Sequence, residues 1–141
     1  MILYLDTSSL VKLYLTEAHS GDVRGWSEEA EIVATSRVAY PEMVSALTRR
    51  YRGGDLSKPD YELLLKTFIA DWAHFAVVDF DEIDAGRLAK LHGLRGFDAV
   101  HLATAKLLKS SHPRISVAFS SFDGDLNKAA AAEKLTVLEP K

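Results

Sequence analysis

The chain has 141 residues, 48% of them hydrophobic, no cysteine and a formal charge of −3. That apolar content suffices for one hydrophobic core, and the missing cysteines exclude disulfide frameworks, thiolate metal sites and cysteine nucleophiles. The acidic balance argues against a domain that coats nucleic acid by bulk positive charge, yet it leaves room for a site whose acids hold a divalent cation and so attract an anionic ligand.

The opening MILYLDTSSLVKLYL lacks a basic leader and carries Asp6 and Lys12 inside its apolar stretch, so it reads as strand then helix rather than a signal peptide. The strand covers Ile2 to Leu5 and ends in Asp6-Thr7-Ser8-Ser9, a run of helix-capping residues. A helix carrying Leu10, Val11, Leu13, Tyr14 and Leu15 follows, then a second amphipathic stretch around Val23 to Glu29. Ile32-Val33-Ala34 is the next buried strand. Thr35 or Ser36 caps the helix that runs toward Arg49, Arg50 and Tyr51 and stops at Gly53-Gly54. Pro41 removes a backbone donor, so this helix either starts near Tyr40 or is kinked in its first turns.

Ser57, Pro59 and Asp60 open another helix, whose apolar face carries Leu63, Leu64, Phe68 and Trp72. Ala76-Val77-Val78 is the third strand. Asp81 to Leu91 is helical, with acids at its start and Lys90 near its end as the helix dipole favours, and Gly93 and Gly96 break the pattern before Asp98. From Asp98 a buried helix runs through Val100, Leu102, Ala103, Leu107 and Leu108 to Ser110 and Pro113. Ile115 to Phe119 is a strand, Asp125 to Lys134 an alanine-rich helix, and Leu135 to Leu138 a closing strand. Short, continuously apolar strands alternating with helices predict an α/β fold, a three-layer α/β/α sandwich around a mainly parallel sheet. One domain over residues 1–141 is expected, with no membrane span and a cytoplasmic location.

In open α/β sheets, ligands gather beyond the carboxyl ends of the strands. Asp6 follows the first strand, Asp98 follows a glycine-containing break, and Asp123 follows the strand ending at Phe119. Glu42 lies in a helix whose neighbours Met43, Val44, Ala46 and Leu47 give it a buried side. Each aspartate taken alone is explained by a cap or a turn. Carboxylates that converge raise one another's pKa unless a counter-charge is present, and a hard cation such as magnesium or manganese suits an all-oxygen site.

Four motifs in order resemble those of the PIN-domain family, and within it the VapC-type toxins. YLDTSSLVKLYL carries Asp6, AYPEMVSALTRR carries Glu42, LRGFDAVHLATA carries Asp98, and FSSFDGDLNKAA carries Asp123, together spanning nearly the whole chain. The resemblance implies cleavage of single-stranded RNA with Mg2+ or Mn2+, leaving a 5′-phosphate and a 3′-hydroxyl. It makes Asp6 and Asp98 metal ligands, with Glu42 and Asp123 completing the catalytic pocket directly or through water; Asp125 is the alternative to Asp123. It also implies a homodimer and a cognate antitoxin that inserts into the acidic crevice, where a partner arginine would compete with the metal.

Ser8 and Ser121 are candidates to bind a ligand water or phosphate, Lys12, Arg49, Arg50 and Arg95 to contact the RNA backbone, and His101 to orient an acid. A non-catalytic RNA- or protein-binding module on the same fold is the alternative function. An aspartyl-phosphate phosphatase is disfavoured because Ser8 stands where that pattern repeats an aspartate.

Overall fold

Five short strands, β1 (Ile2–Leu5), β2 (Ile32–Ser36), β3 (Ala76–Val78), β4 (Val117–Ser120) and β5 (Thr136–Val137), form the centre of the computed structural model, which describes residues 1–141. They pair in the order β3-β2-β1-β4-β5, and every pair is parallel. All residues of β1 and β4 are buried, as expected of central strands covered on both faces.

Alternation along β1 divides the core. Ile2 and Tyr4 point into one layer, with Phe119, Leu88, Leu102 and Leu126, while Leu3 and Leu5 point into the other, with Leu10, Met43, Leu47 and Phe68. The first layer is made by helices α5 (Glu82–His92), α6 (Gly96–Ser111) and α7 (Gly124–Ala132). The second is made by α1 (Thr7–Leu10), α2 (Ser20–Glu29), α3 (Ala39–Arg52) and α4 (Lys58–Trp72). The predicted three-layer α/β/α sandwich is therefore present, with a wholly parallel sheet. No helix is long and apolar enough to cross a membrane.

Several local expectations are corrected. The first helix does not run to Leu15; it is one turn, α1, continued by a 3-10 turn at Val11–Leu13. Leu15 instead gives its carbonyl to the Ser20 hydroxyl at 2.7 Å, which directs the chain into α2. Thr35 and Ser36 do not cap α3, because pairing with Val77 and Val78 of β3 extends β2 through both. The Thr35 hydroxyl donates to the Leu5 carbonyl at 2.7 Å.

The helix containing Pro41 starts at Ala39, which places the proline in the first turn where its missing N–H leaves no internal bond unmade. β4 lies later than Ile115–Phe119 because its register against β1 runs from Ile2↔Val117 to Leu5↔Ser120. α7 begins at Gly124, not Asp125, and ends at Ala132; Lys134 then takes a left-handed φ of 66° and leads into a β5 of only Thr136–Val137.

Candidate active site

The chain builds β1, β2 and β3 outward in one direction and then crosses back to place β4 on the other side of β1. The carboxyl ends of β1 and β4 are thus the point where the winding reverses and helices diverge, leaving a crevice. Asp6 stands at the end of β1, and Ser121 and Asp123 follow β4. The first turns of α3 and α6 bring Glu42 and Asp98 to the same place. All four acids line one open cavity of about 810 Å³, together with Thr7, Ser8, His101, Arg49 and Arg95. Asp125 does not line it; it is exposed on α7.

Asp6 is only 3% exposed. Its Oδ1 accepts from the Ser8 hydroxyl at 2.7 Å and the Ser9 N–H at 3.0 Å, and its Oδ2 accepts from the Ser121 hydroxyl at 2.6 Å. Burial pushes this carboxyl above its ordinary pKa, and these three donors work against that rise. Ser8 and Ser121 therefore act on Asp6 itself. Ser8 also ties the strand ends together, since the Phe122 N–H donates to its oxygen at 2.9 Å, while the Asp123 N–H donates locally to Ser121 at 3.0 Å.

Glu42 Oε1 accepts from the Thr7 hydroxyl at 2.6 Å and from His101 Nε2 at 2.8 Å. Burial works to raise this carboxyl, but hydrogen bonds from His101 and Thr7, together with the charge of Arg95, outweigh it and hold the group below its ordinary value. His101, a candidate to orient an acid, hydrogen-bonds Glu42 and not Asp98.

Asp123 caps α7 through Oδ1, which accepts from the Leu126 N–H at 2.9 Å, so the structural and the cavity-facing roles coexist on one side chain. Its Oδ2 accepts from Arg95 Nη2 at 3.2 Å, and Asp98 Oδ2 accepts from Arg95 Nε at 3.2 Å. The guanidinium that bridges them is 82% exposed, while the two acids are 19% and 28% exposed.

Of the other basic candidates, Arg49 lines the cavity, but Lys12 and Arg50 do not. Lys12 is buried, donates to Glu17 and the Ala18 carbonyl, and sits over the Phe122 ring; Arg50 pairs with Glu17 at 2.7 Å. Tyr4 was readable only as a core residue in an apolar strand, yet its hydroxyl meets His101 Nδ1 at 2.8 Å. No local signal in the sequence pairs residues so far apart.

The donor set suits a hard cation: carboxylates and hydroxyls, with no sulfur. No three acid or histidine side chains form a ready cation cage in this arrangement, and the positive charge between Asp98 and Asp123 is Arg95.

Known proteins match both the sequence and the architecture. The model of the PIN domain family matches residues 3–132, a span that contains all four acids. Ribonuclease VapC49 of Mycobacterium tuberculosis is 36% identical over 107 residues, 74% of each chain. Ribonuclease VapC35 of the same species is 31% identical over 144 aligned positions, covering 99% of this chain and 97% of the relative. The fold of FitAcB from Neisseria gonorrhoeae superposes with a TM-score of 0.69 at 20% identity, covering 99% of this chain and 97% of that one. On these matches, this chain belongs to the PIN-domain family.

Proposed function

We propose that this protein is a metal-dependent endoribonuclease that cleaves single-stranded RNA, and that it is the toxin of a VapBC-type toxin–antitoxin pair working in the cytoplasm. One observation carries the reading: Asp6, Glu42, Asp98 and Asp123, from four separate elements, line a single cavity at the sheet's reversal point. The names of the relatives, ribonucleases of the VapC group, support the reaction class.

Asp6 and Asp98 would hold a Mg2+ or Mn2+ ion, with Glu42 and Asp123 completing the pocket directly or through water. When bound, the ion supplies the charge that activates the attacking water and stabilises the oxyanion developing at phosphorus. The chain supplies position. Ser8, Ser9 and Ser121 hold Asp6 at fixed orientation, and Thr7 and His101 hold one oxygen of Glu42 so that the other stays available. Arg49 at the cavity wall suits a phosphate of the RNA backbone. An antitoxin that enters this crevice with an arginine would meet the acids where Arg95 already meets them, and the resemblance implies a homodimer as the working unit.

The test is cleavage of a mixed-sequence single-stranded RNA by antitoxin-free protein in magnesium, manganese or chelator, beside Asp98→Asn. Metal-dependent cutting that falls by about a hundredfold or more in the variant is expected. Cutting that persists unchanged in chelator, or in a folded Asp98→Asn protein, would sink the site assignment.

A further inference from the structure

We propose that Tyr4 and His101 form a positioning relay for Glu42, in which the Tyr4 hydroxyl donates to Nδ1 of His101 and the Nε2–H of His101 donates to Oε1 of Glu42. The inference rests on the reading above that Glu42 belongs to the catalytic pocket.

Both members are buried, Tyr4 with no exposure and His101 at 1%. Buried polar atoms need partners, and here the partners form a line from the middle of the sheet to the cavity: Tyr4 Oη to Nδ1 at 2.8 Å, then Nε2 to Glu42 Oε1 at 2.8 Å. An ionised carboxylate only accepts, so Nε2 is the donor, and a neutral imidazole then has a lone pair at Nδ1. The phenol is suited to fill it. The nearby Thr35 and Thr104 hydroxyls spend their own protons on the Leu5 and Val100 carbonyls, each at 2.7 Å.

Packing fixes the line in space. The Tyr4 ring stacks on Phe119 with centroids 5.7 Å apart and planes 5° from parallel, and it meets the His101 ring edge-on at 6.0 Å. At the far end Oε1 is shared with the Thr7 hydroxyl at 2.6 Å, and Oε2 makes no hydrogen bond within the chain. A histidine that merely satisfied the core would end on a backbone carbonyl or a buried side chain. This one ends on an acid that lines the cavity. Tyr4 and His101 are thus positioning residues, acting through Glu42.

Nitrogen-15 shifts of His101 in labelled protein, read with RNA-cleavage kinetics of variants, test the relay. The expected shifts are those of a neutral ring protonated at Nε2, with the Nδ1 signal moving toward that of a free lone pair in Tyr4→Phe. A wild-type ring protonated at Nδ1 alone overturns the relay, since Glu42 would then receive no donor from it. In kinetics, His101→Leu should lower kcat by about 10–100-fold with KM little changed. His101→Gln, which keeps an N–H near the Nε2 position, should recover most of that loss, and thermal melts confirm that both fold. Equal loss in the two variants, or a loss wholly in KM, overturns the positioning role. Wild-type protein that cleaves no RNA under any metal would instead count against the nuclease reading, and the nitrogen shifts would still decide the relay.

Discussion

Arg95 and Asp123 are separated by 28 positions in the chain, and Nη2 of the one donates to Oδ2 of the other at 3.2 Å. The same guanidinium donates to Asp98, three residues away, also at 3.2 Å. It is a cation lodged between two of the acids that a divalent ion would need. Because the side chain is largely exposed, each pair is worth little and the arginine can leave readily. Replacing it with alanine removes a competitor and a repelling charge. Arg95→Ala should therefore bind Mn2+ about three- to tenfold more tightly by titration calorimetry. Weaker binding in Arg95→Ala would mean that the arginine supports the ion instead of competing with it.

Asp6 carries its charge in a buried setting, and burial raises its pKa in the folded protein. A raised folded-state pKa means that the metal-free fold favours the protonated acid, so ionisation at neutral pH works against stability. Asp6→Asn removes that charge while its amide oxygen can still accept from Ser8 and the Ser9 N–H. In chelator the variant should melt at or above the wild-type temperature, yet lose about a hundredfold or more in cleavage. A large drop in melting temperature would show that the carboxylate is needed for folding itself.

Arg49 lines the cavity and forms no ion pair with any of the four acids. As a backbone-phosphate contact it would bind ground and transition states alike. Arg49→Ala should raise KM by about three- to tenfold with kcat nearly unchanged, and should flatten the salt dependence of KM. An equal fall in kcat would move Arg49 into the chemical step.

Far from the cavity, Glu133 at the end of α7 accepts from Lys106 of α6 at 2.6 Å and from His92 of α5 at 2.8 Å. The Lys106 bond, followed by that of His92, holds its carboxyl below the ordinary value. A depressed folded-state pKa contributes stability that is present above the unfolded value and lost as pH falls through the folded one. Glu133→Gln should cost about 1–2 kcal/mol at neutral pH, and the gap to wild type should close as pH drops below about 4 in thermal melts. A gap independent of pH would mean that the carboxylate's charge plays no part.

The parallel sheet was legible because buried strands such as Ile2–Leu5 are short and wholly apolar, and helical periodicity between them leaves few other architectures. Element ends were less legible. Ser36 is a good cap by residue type, but pairing with Val78 makes it the end of a strand. The helix predicted through Leu15 stops at Leu10 and passes into a 3-10 turn over Val11–Leu13, beyond which the Leu15 carbonyl is taken by Ser20 of the next helix. Such outcomes depend on long-range partners that local preference cannot see.

At the site, residue type and motif order were enough to single out Asp6, Glu42, Asp98 and Asp123, because carboxylates at strand and helix junctions are visible in one dimension. Which of their oxygens are occupied, and by what, was decided in three. His101 reaches Glu42 across 59 positions and Tyr4 reaches His101 across 97. Lys12, basic by sequence, is drawn into the body of the protein by Glu17 and Phe122. The sequence by itself determined the chemistry on offer, since side-chain type sets charge and donor capacity. Only the tertiary structure decided its orientation and screening, because hydrogen bonds and desolvation act through distances that sheet order and packing alone establish.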